Sequence, residues 1–169
     1  MRHESVWSIS EEQTEAVAMA LAARTPPGAT LCLTGDLGAG KTVFARGFAR
    51  GMGITGPITS PTFTLVNSYE GRMPDGSRRT LHHFDLYRIS DPDELHDIGW
   101  EEYFDGESVC LVEWPDRAGP YLPANCVAVE IQLVAPELEA AGQEDGNGAA
   151  GWETSCHRQI RIDWNRGQA

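Results

Sequence analysis

Gly35-Asp36-Leu37-Gly38-Ala39-Gly40-Lys41-Thr42 fills every fixed position of the pattern GxxxxGK(S/T). Glycines at those places let successive backbone N–H groups curl around phosphate oxygens, and a helix opening at the lysine adds partial positive charge. Lys41 can then reach the outer phosphates, while Thr42 offers a hydroxyl to Mg²⁺. Leu37, Gly38, Ala39, Gly40, Lys41 and Thr42, followed by Val43, are therefore the candidate contacts to a nucleotide. The chain holds thirteen basic residues but a single lysine, and it is Lys41. Arginine supplies the cationic charge everywhere else, so this position calls for an ammonium.

A phosphate cradle hydrolyses nothing by itself; it needs support for a metal and a group that orients the attacking water. Acids at strand ends are the candidates. Glu113 directly follows the apolar run Val109-Cys110-Leu111-Val112. That places its carboxylate at the C-terminal edge of a sheet, beside the glycine loop, where open α/β folds bind ligands, and it is assigned to Mg²⁺. Asp85 closes the apolar segment within His82-His83-Phe84-Asp85-Leu86-Tyr87-Arg88. It could orient water or complete a metal shell as a catalytic carboxylate, or form a loop salt bridge with Arg88. Ser60-Pro61-Thr62-Phe63-Thr64 is rich in hydroxyls, as a γ-phosphate sensor would be, although such residues beside proline also make ordinary turns. His82 and His83 are adjacent on an expected strand and point to opposite faces, which favours structural roles over a shared ion. Trp114 suits the rim of the site or a contact with a partner.

These residues need elements to hold them. Ser10 can cap a helix through Val17 and Leu21 that stops before Thr25-Pro26-Pro27-Gly28. The run from Ala29 to Thr34 reads as a buried parallel strand, and Lys41 to Met52 as a helix closed by Gly51 and Gly53. Phe63 to Tyr69 and Thr80 to Tyr87 read as paired strands across the turn-rich stretch from Gly71 to Arg79. Asp91-Pro92-Asp93-Glu94 opens a further helix to about Tyr103. Ser108 to Val112 is a central strand. Cys126 to Val134 and Gln159 to Trp164 are late strands, joined by a segment from Ala135 to Ser155 expected to be a long or mobile loop. Together they predict one α/β P-loop NTPase domain over residues 1–169, with a mainly parallel central sheet, flanking helices and late antiparallel strands.

Composition narrows the class. A chain of 169 residues, 41% apolar, can bury one ordinary core. Its formal net charge of −12 argues against gripping a phosphate backbone directly, so any RNA involvement should be indirect. Four cysteines occur without a CxxC pair, and Cys32 and Cys110 lie in apolar runs as reduced thiols would. No apolar stretch approaches the ~18 residues of a membrane span, and the first residues lack signal-peptide regions. The expectation is a cytoplasmic protein without a membrane role.

The blocks GDLGAGKT, SPTFTLVNSY, HHFDLYRISDPDEL and LVEWPDR, in this order and spacing, resemble the TsaE family, formerly called YjeE. The resemblance covers about residues 8–134. It implies a P-loop ATPase using ATP/ADP and Mg²⁺ that acts on the TsaB–TsaD pair during threonylcarbamoyladenosine modification of tRNA. Hydrolysis by the chain alone is expected to be slow, because no arginine is obviously placed as a finger on the transferring phosphoryl group. It further implies Thr42 and Glu113 as magnesium ligands, Asp85 as the catalytic carboxylate, and Thr62 and Thr64 as a switch-like segment. Adenine contacts would come from Ser10 to Glu12 and the neighbourhood of Arg158. An alternative is a small-molecule P-loop kinase, which needs an Arg-bearing lid; Arg78 and Arg79 are the only adjacent pair. A guanine-nucleotide switch needs a second lysine in Asn-Lys-x-Asp, which the chain lacks.

Overall fold

A computed structural model of the chain describes residues 2–134 and 157–166. Seven strands form one sheet: β1 (Arg2–Ser8), β2 (Thr30–Thr34), β3 (Val66–Arg72), β4 (Arg78–Asp85), β5 (Val109–Glu113), β6 (Cys126–Val134) and β7 (His157–Arg166). Their spatial order is β1-β7-β6-β2-β5-β4-β3. The four central strands β6, β2, β5 and β4 run parallel, while β3, β7 and β1 are added antiparallel at the flanks. The α/β class with a mainly parallel centre is therefore the fold observed. The two late strands divide, because β6 joins the parallel set beside β2 and only β7 reverses direction.

Two helices, α1 (Glu11–Ala22) and α2 (Lys41–Gly51), lie on one face of the sheet. Ser10 opens α1, its hydroxyl accepting the Gln13 N–H at 3.2 Å. The helices approach closely at Gly47, where an added methyl would come within 2.5 Å of the Glu15 backbone. Arg46 and Arg50 of α2 both pair with Glu15 of α1 across the same contact. Beneath them Phe44 and Phe48 are wholly buried against Leu31, Leu33, Leu111 and Val129. Each such side chain contributes roughly 1.5–3 kcal/mol by leaving water.

The opposite face carries a second core of Phe84, Leu86, Ile89, Leu95, Trp100, Cys110 and Val112. Phe84 meets Trp100 and Tyr103 edge-on, with centroids 4.8 and 5.2 Å apart. Cys32, Cys110 and Cys126 are buried and form no disulfide among the described residues, and burial pushes the Cys110 thiol up to about 12.

Several expectations need correction. The segment from Asp91 to Tyr103 is two 3-10 turns, Pro92–Ile98 and Trp100–Tyr103, instead of one helix. Asp91 and Glu94 do make a capping box, but Gly99 takes φ 68° and breaks the run. The β3–β4 turn is shorter than expected, and residues before Val66 are not strand. β1 was not anticipated: Arg2–Ser8 lacks a clear alternation and is a strand because it pairs along β7. The loop expected from Ala135 to Ser155 lies outside the described residues.

Candidate nucleotide-binding site

Strand alternation determines which face receives the chemistry. Leu81, His83 and Asp85 follow one another at two-residue steps on β4, as do Val109, Leu111 and Glu113 on β5. Leu81, Val109 and Leu111 belong to the core under α1 and α2, so their successors Asp85 and Glu113 emerge on that same side. The register sets Asp85 opposite Glu113 and Glu113 opposite Leu33. Two residues beyond Leu33 the glycine loop begins, and the two carboxylates stand beside it.

The loop turns from β2 into α2 through residues that a side chain would obstruct. Gly35 has φ 144°, and a Cβ there would lie 2.3 Å from the Ile131 carbonyl oxygen. Gly40 precedes α2 with φ 107° and provides no side-chain cap. The first-turn N–H groups of α2 are thus left available to an anion. Leu37, Gly38, Gly40, Lys41, Thr42 and Val43 border a cleft of about 440 Å³ together with Ser60, Thr62, Asp85, Tyr87, Glu113 and Trp114. Ala39 is wholly buried; it contributes backbone, its carbonyl accepting a 3.1 Å hydrogen bond from Arg158 Nε.

Lys41 is 5% exposed. Its Nζ donates to the Gly35 and Asp36 carbonyls at 2.7 and 2.8 Å and lies 3.9 Å from the centroid of the Trp114 ring. Burial pushes the ammonium pKa down, and the nearby charges of Glu113, Asp85 and Asp36 oppose that shift. Trp114 holds this place through a left-handed backbone, φ 59°, directly after Glu113. It is a rim residue packed on Tyr87, with centroids 5.1 Å apart.

The two carboxylates differ in their partners. Asp85, 5% exposed, accepts on Oδ2 from Ser60 and from Thr62 at 2.8 Å, and on Oδ1 from the Tyr87 N–H at 3.0 Å. Glu113, 2% exposed, takes His83 Nε2 on Oε1 at 2.9 Å. Arg88 does not pair with Asp85; its guanidinium sits 4.4 Å from the Phe63 ring centroid. Of the hydroxyl-rich segment, Ser60 and Thr62 turn toward Asp85, whereas Thr64 turns away to Asn67.

Two candidates stand apart from the cleft. Glu12 is exposed in the first turn of α1; its own backbone N–H and then the Ser10 hydroxyl hold its carboxyl below the usual range. Arg158 lies on the outer side of the loop, where a Cβ at Gly40 would approach its Nε to 2.9 Å. Arg158 pairs with Ser8, which lies just before α1 begins. Arg78 and Arg79 open β4 at the end remote from Asp85, so they do not border this cleft. Sequence reasoning missed Tyr87 and the tie from His83 to Glu113. The signal for the latter was the two-residue step from His83 to Asp85, which places both on one face.

The assembled groups are oxygen donors, one ammonium and helix N–H groups, a set suited to polyphosphate and to a hard cation such as Mg²⁺. Comparison with known proteins bears on the family. A family model described as threonylcarbamoyl adenosine biosynthesis protein TsaE matches residues 8–140. The tRNA threonylcarbamoyladenosine biosynthesis protein TsaE of Bacillus subtilis strain 168 is 44% identical over 158 residues, spanning 92% of this chain and 93% of that protein. The protein of the same description from Haemophilus influenzae is 45% identical over 59% of this chain and 60% of its own length. The crystal structure of Bacillus subtilis YdiB superposes with a TM-score of 0.67 at 34% identity, over 95% of this chain and 84% of that one. Motif order, site geometry and these likenesses converge, and the chain belongs to the TsaE family of threonylcarbamoyl adenosine biosynthesis proteins.

Proposed function

We propose that the chain binds ATP and ADP with Mg²⁺ in the Lys41 cleft and hydrolyses ATP slowly, driving repeated rounds of tRNA threonylcarbamoylation by a TsaB–TsaD pair. One observation carries this reading: Lys41, Thr42, Asp85 and Glu113, from three separate elements, border a single cleft at the C-terminal ends of parallel strands. In this reading Lys41 exchanges its carbonyl partners for the outer phosphate oxygens, and the α2 N–H groups take the inner ones. Thr42 and Glu113 would hold Mg²⁺, which would supply charge neutralisation to the phosphates. Asp85, held by Ser60 and Thr62, orients the attacking water. No arginine borders the cleft among the described residues, so Lys41 is the one cationic side chain lining it and an arginine for the transferring phosphoryl group would have to come from elsewhere. Slow hydrolysis by the chain alone follows, with a protein partner accelerating it. Arg158 of β7, beside the loop, and Glu12, in the first turn of α1, are the adenine-side contacts of this reading. The net charge of −12 supports contact with tRNA through the partner rather than through this chain.

The decisive experiment is threonylcarbamoyl transfer to tRNA by TsaB and TsaD supplied with threonylcarbamoyl-AMP. It is run with this chain, without it and with Lys41→Ala. Turnover beyond the first round only with the intact chain and ATP supports the reading. Equal turnover in all three arms removes it.

A further inference from the structure

Glu113 is 2% exposed, and a carboxylate so buried needs a donor. That donor is His83. Its side chain is wholly buried and its Nε2 meets Glu113 Oε1 at 2.9 Å. A carboxylate only accepts, so Nε2 must carry the proton. The other ring nitrogen, Nδ1, is buried without any hydrogen-bond partner. Leaving a buried ring nitrogen unpaired costs free energy that an apolar residue of similar size would avoid. A core histidine kept only for packing has no reason to bear that cost, whereas one required to present Nε2–H to a carboxylate does.

The geometry defines what the contact accomplishes. His83 sits one step below Asp85 on β4, opposite Leu111, with Glu113 one step above on β5. It therefore reaches diagonally up the sheet face and takes one oxygen of the carboxylate from the core side. Glu113 Oε2 has no hydrogen-bond partner among the described residues, and Glu113 borders the cleft. The contact divides the carboxylate into an anchored oxygen and a presented one.

We propose that His83 is the positioning residue for Glu113: its Nε2–H, in the Nε2-protonated tautomer, fixes the carboxylate rotamer that presents Oε2 to a divalent cation. The proposal rests on Glu113 being a ligand for Mg²⁺, as read above. Hydrogen bonds that hold a ligating carboxylate typically matter by 10- to 100-fold in metal affinity. His83 touches neither nucleotide nor metal, so nucleotide binding without metal should not need it.

The test uses the full chain and Mn²⁺ as a spectroscopic stand-in, measured by electron paramagnetic resonance as free ion lost on binding to the protein–ADP complex. ADP affinity is measured separately in EDTA. His83→Leu should weaken Mn²⁺ binding by about 10- to 100-fold while ADP affinity in EDTA stays within about threefold. His83→Gln, whose amide nitrogen can stand where Nε2 stood, should recover most of the loss. In a Glu113→Gln background, His83→Leu should cost no further Mn²⁺ affinity. Unchanged Mn²⁺ binding in His83→Leu, or a parallel fall of ADP affinity in EDTA, overturns the positioning role. Should Glu113→Gln itself bind Mn²⁺ like the parent, the ligand assignment fails and the positioning role fails with it. If His83→Leu does not fold, nitrogen NMR of the unmodified protein decides: the Nε2–H tautomer is expected, and the Nδ1–H tautomer overturns the proposal.

Discussion

The two ends of the central sheet make an instructive pair. At the C-terminal ends of β2, β4 and β5 a cleft of about 440 Å³ gathers Lys41, Asp85 and Glu113, none more than 5% exposed. Across the N-terminal ends of β4 and β5 lies a larger hollow of about 620 Å³, bordered by Arg78, Arg79, Asp105 and Glu107. Size would favour the second. Its charges, however, serve the backbone: Asp105 accepts from the Ser108 and Glu107 N–H groups at 2.6 and 2.8 Å within its own turn, and Arg79 donates to the distant Thr25 carbonyl at 2.7 Å. Those N–H groups hold the Asp105 carboxyl below the usual range. Volume alone therefore does not separate the two hollows by their chemistry. Ionisable side chains that the fold keeps out of water are the better reason to propose the smaller cleft as the site.

The sharpest way to break this contrast is Asp85→Asn. ATP hydrolysis in the partner-stimulated assay should fall by about 10²- to 10⁴-fold, the range for a group acting on a transferred proton or water, with ADP affinity nearly unchanged. Stimulated hydrolysis within a few-fold of the parent would return Asp85 to a structural role beside Ser60 and Thr62. Next in size is Lys41→Ala, for which equilibrium titration should give about 10- to 100-fold weaker ATP binding, the worth of a lost charge-assisted hydrogen bond to phosphate. Binding that survives intact would mean that the loop backbone suffices.

At the other end the effects should be on stability alone. Arg79→Ala removes a partner of the Thr25 carbonyl and should lower unfolding stability by about 1 kcal/mol in urea titrations, without altering ATP affinity. Arg78→Ala should do the least. Its distance to Glu70 is 3.9 Å with both side chains about three-quarters exposed, so its stability should stay within about 0.5 kcal/mol of the parent. A loss of nucleotide affinity in either arginine variant would dissolve the distinction between the two ends.

Much of the site was legible because local rules produce it. The glycine loop has a backbone-level cause: turns at Gly35 and Gly40 that other residues resist, followed by an uncapped helix start. Glu113 was legible because a short apolar run ending in an acid places that acid at a strand's exit. From its residues alone Asp85 is either a catalytic carboxylate or a salt-bridge partner of Arg88, and the family resemblance implies the first; the structure places Arg88 over Phe63 instead. The Asp91 to Tyr103 segment misled because a capping box and helical charges start a helix without sustaining one. Gly99 interrupts it, and Leu95 and Trp100 are drawn into the aromatic core as separate turns. β1 was invisible because pairing with β7, 150 or more residues away, makes it a strand.

What sequence alone determined, then, is everything written in consecutive residues: the phosphate loop, the Ser10 cap, the apolar runs of the central strands and the lone lysine. Tertiary structure decided what depends on partners distant in the chain. It set strand order and level, so that Asp85 faces Glu113, turned Ser60 and Thr62 onto Asp85, and brought His83 beneath Glu113. The physical reason is that a local motif acts through its own backbone, whereas a buried carboxylate is defined by the donors that a folded sheet brings to it.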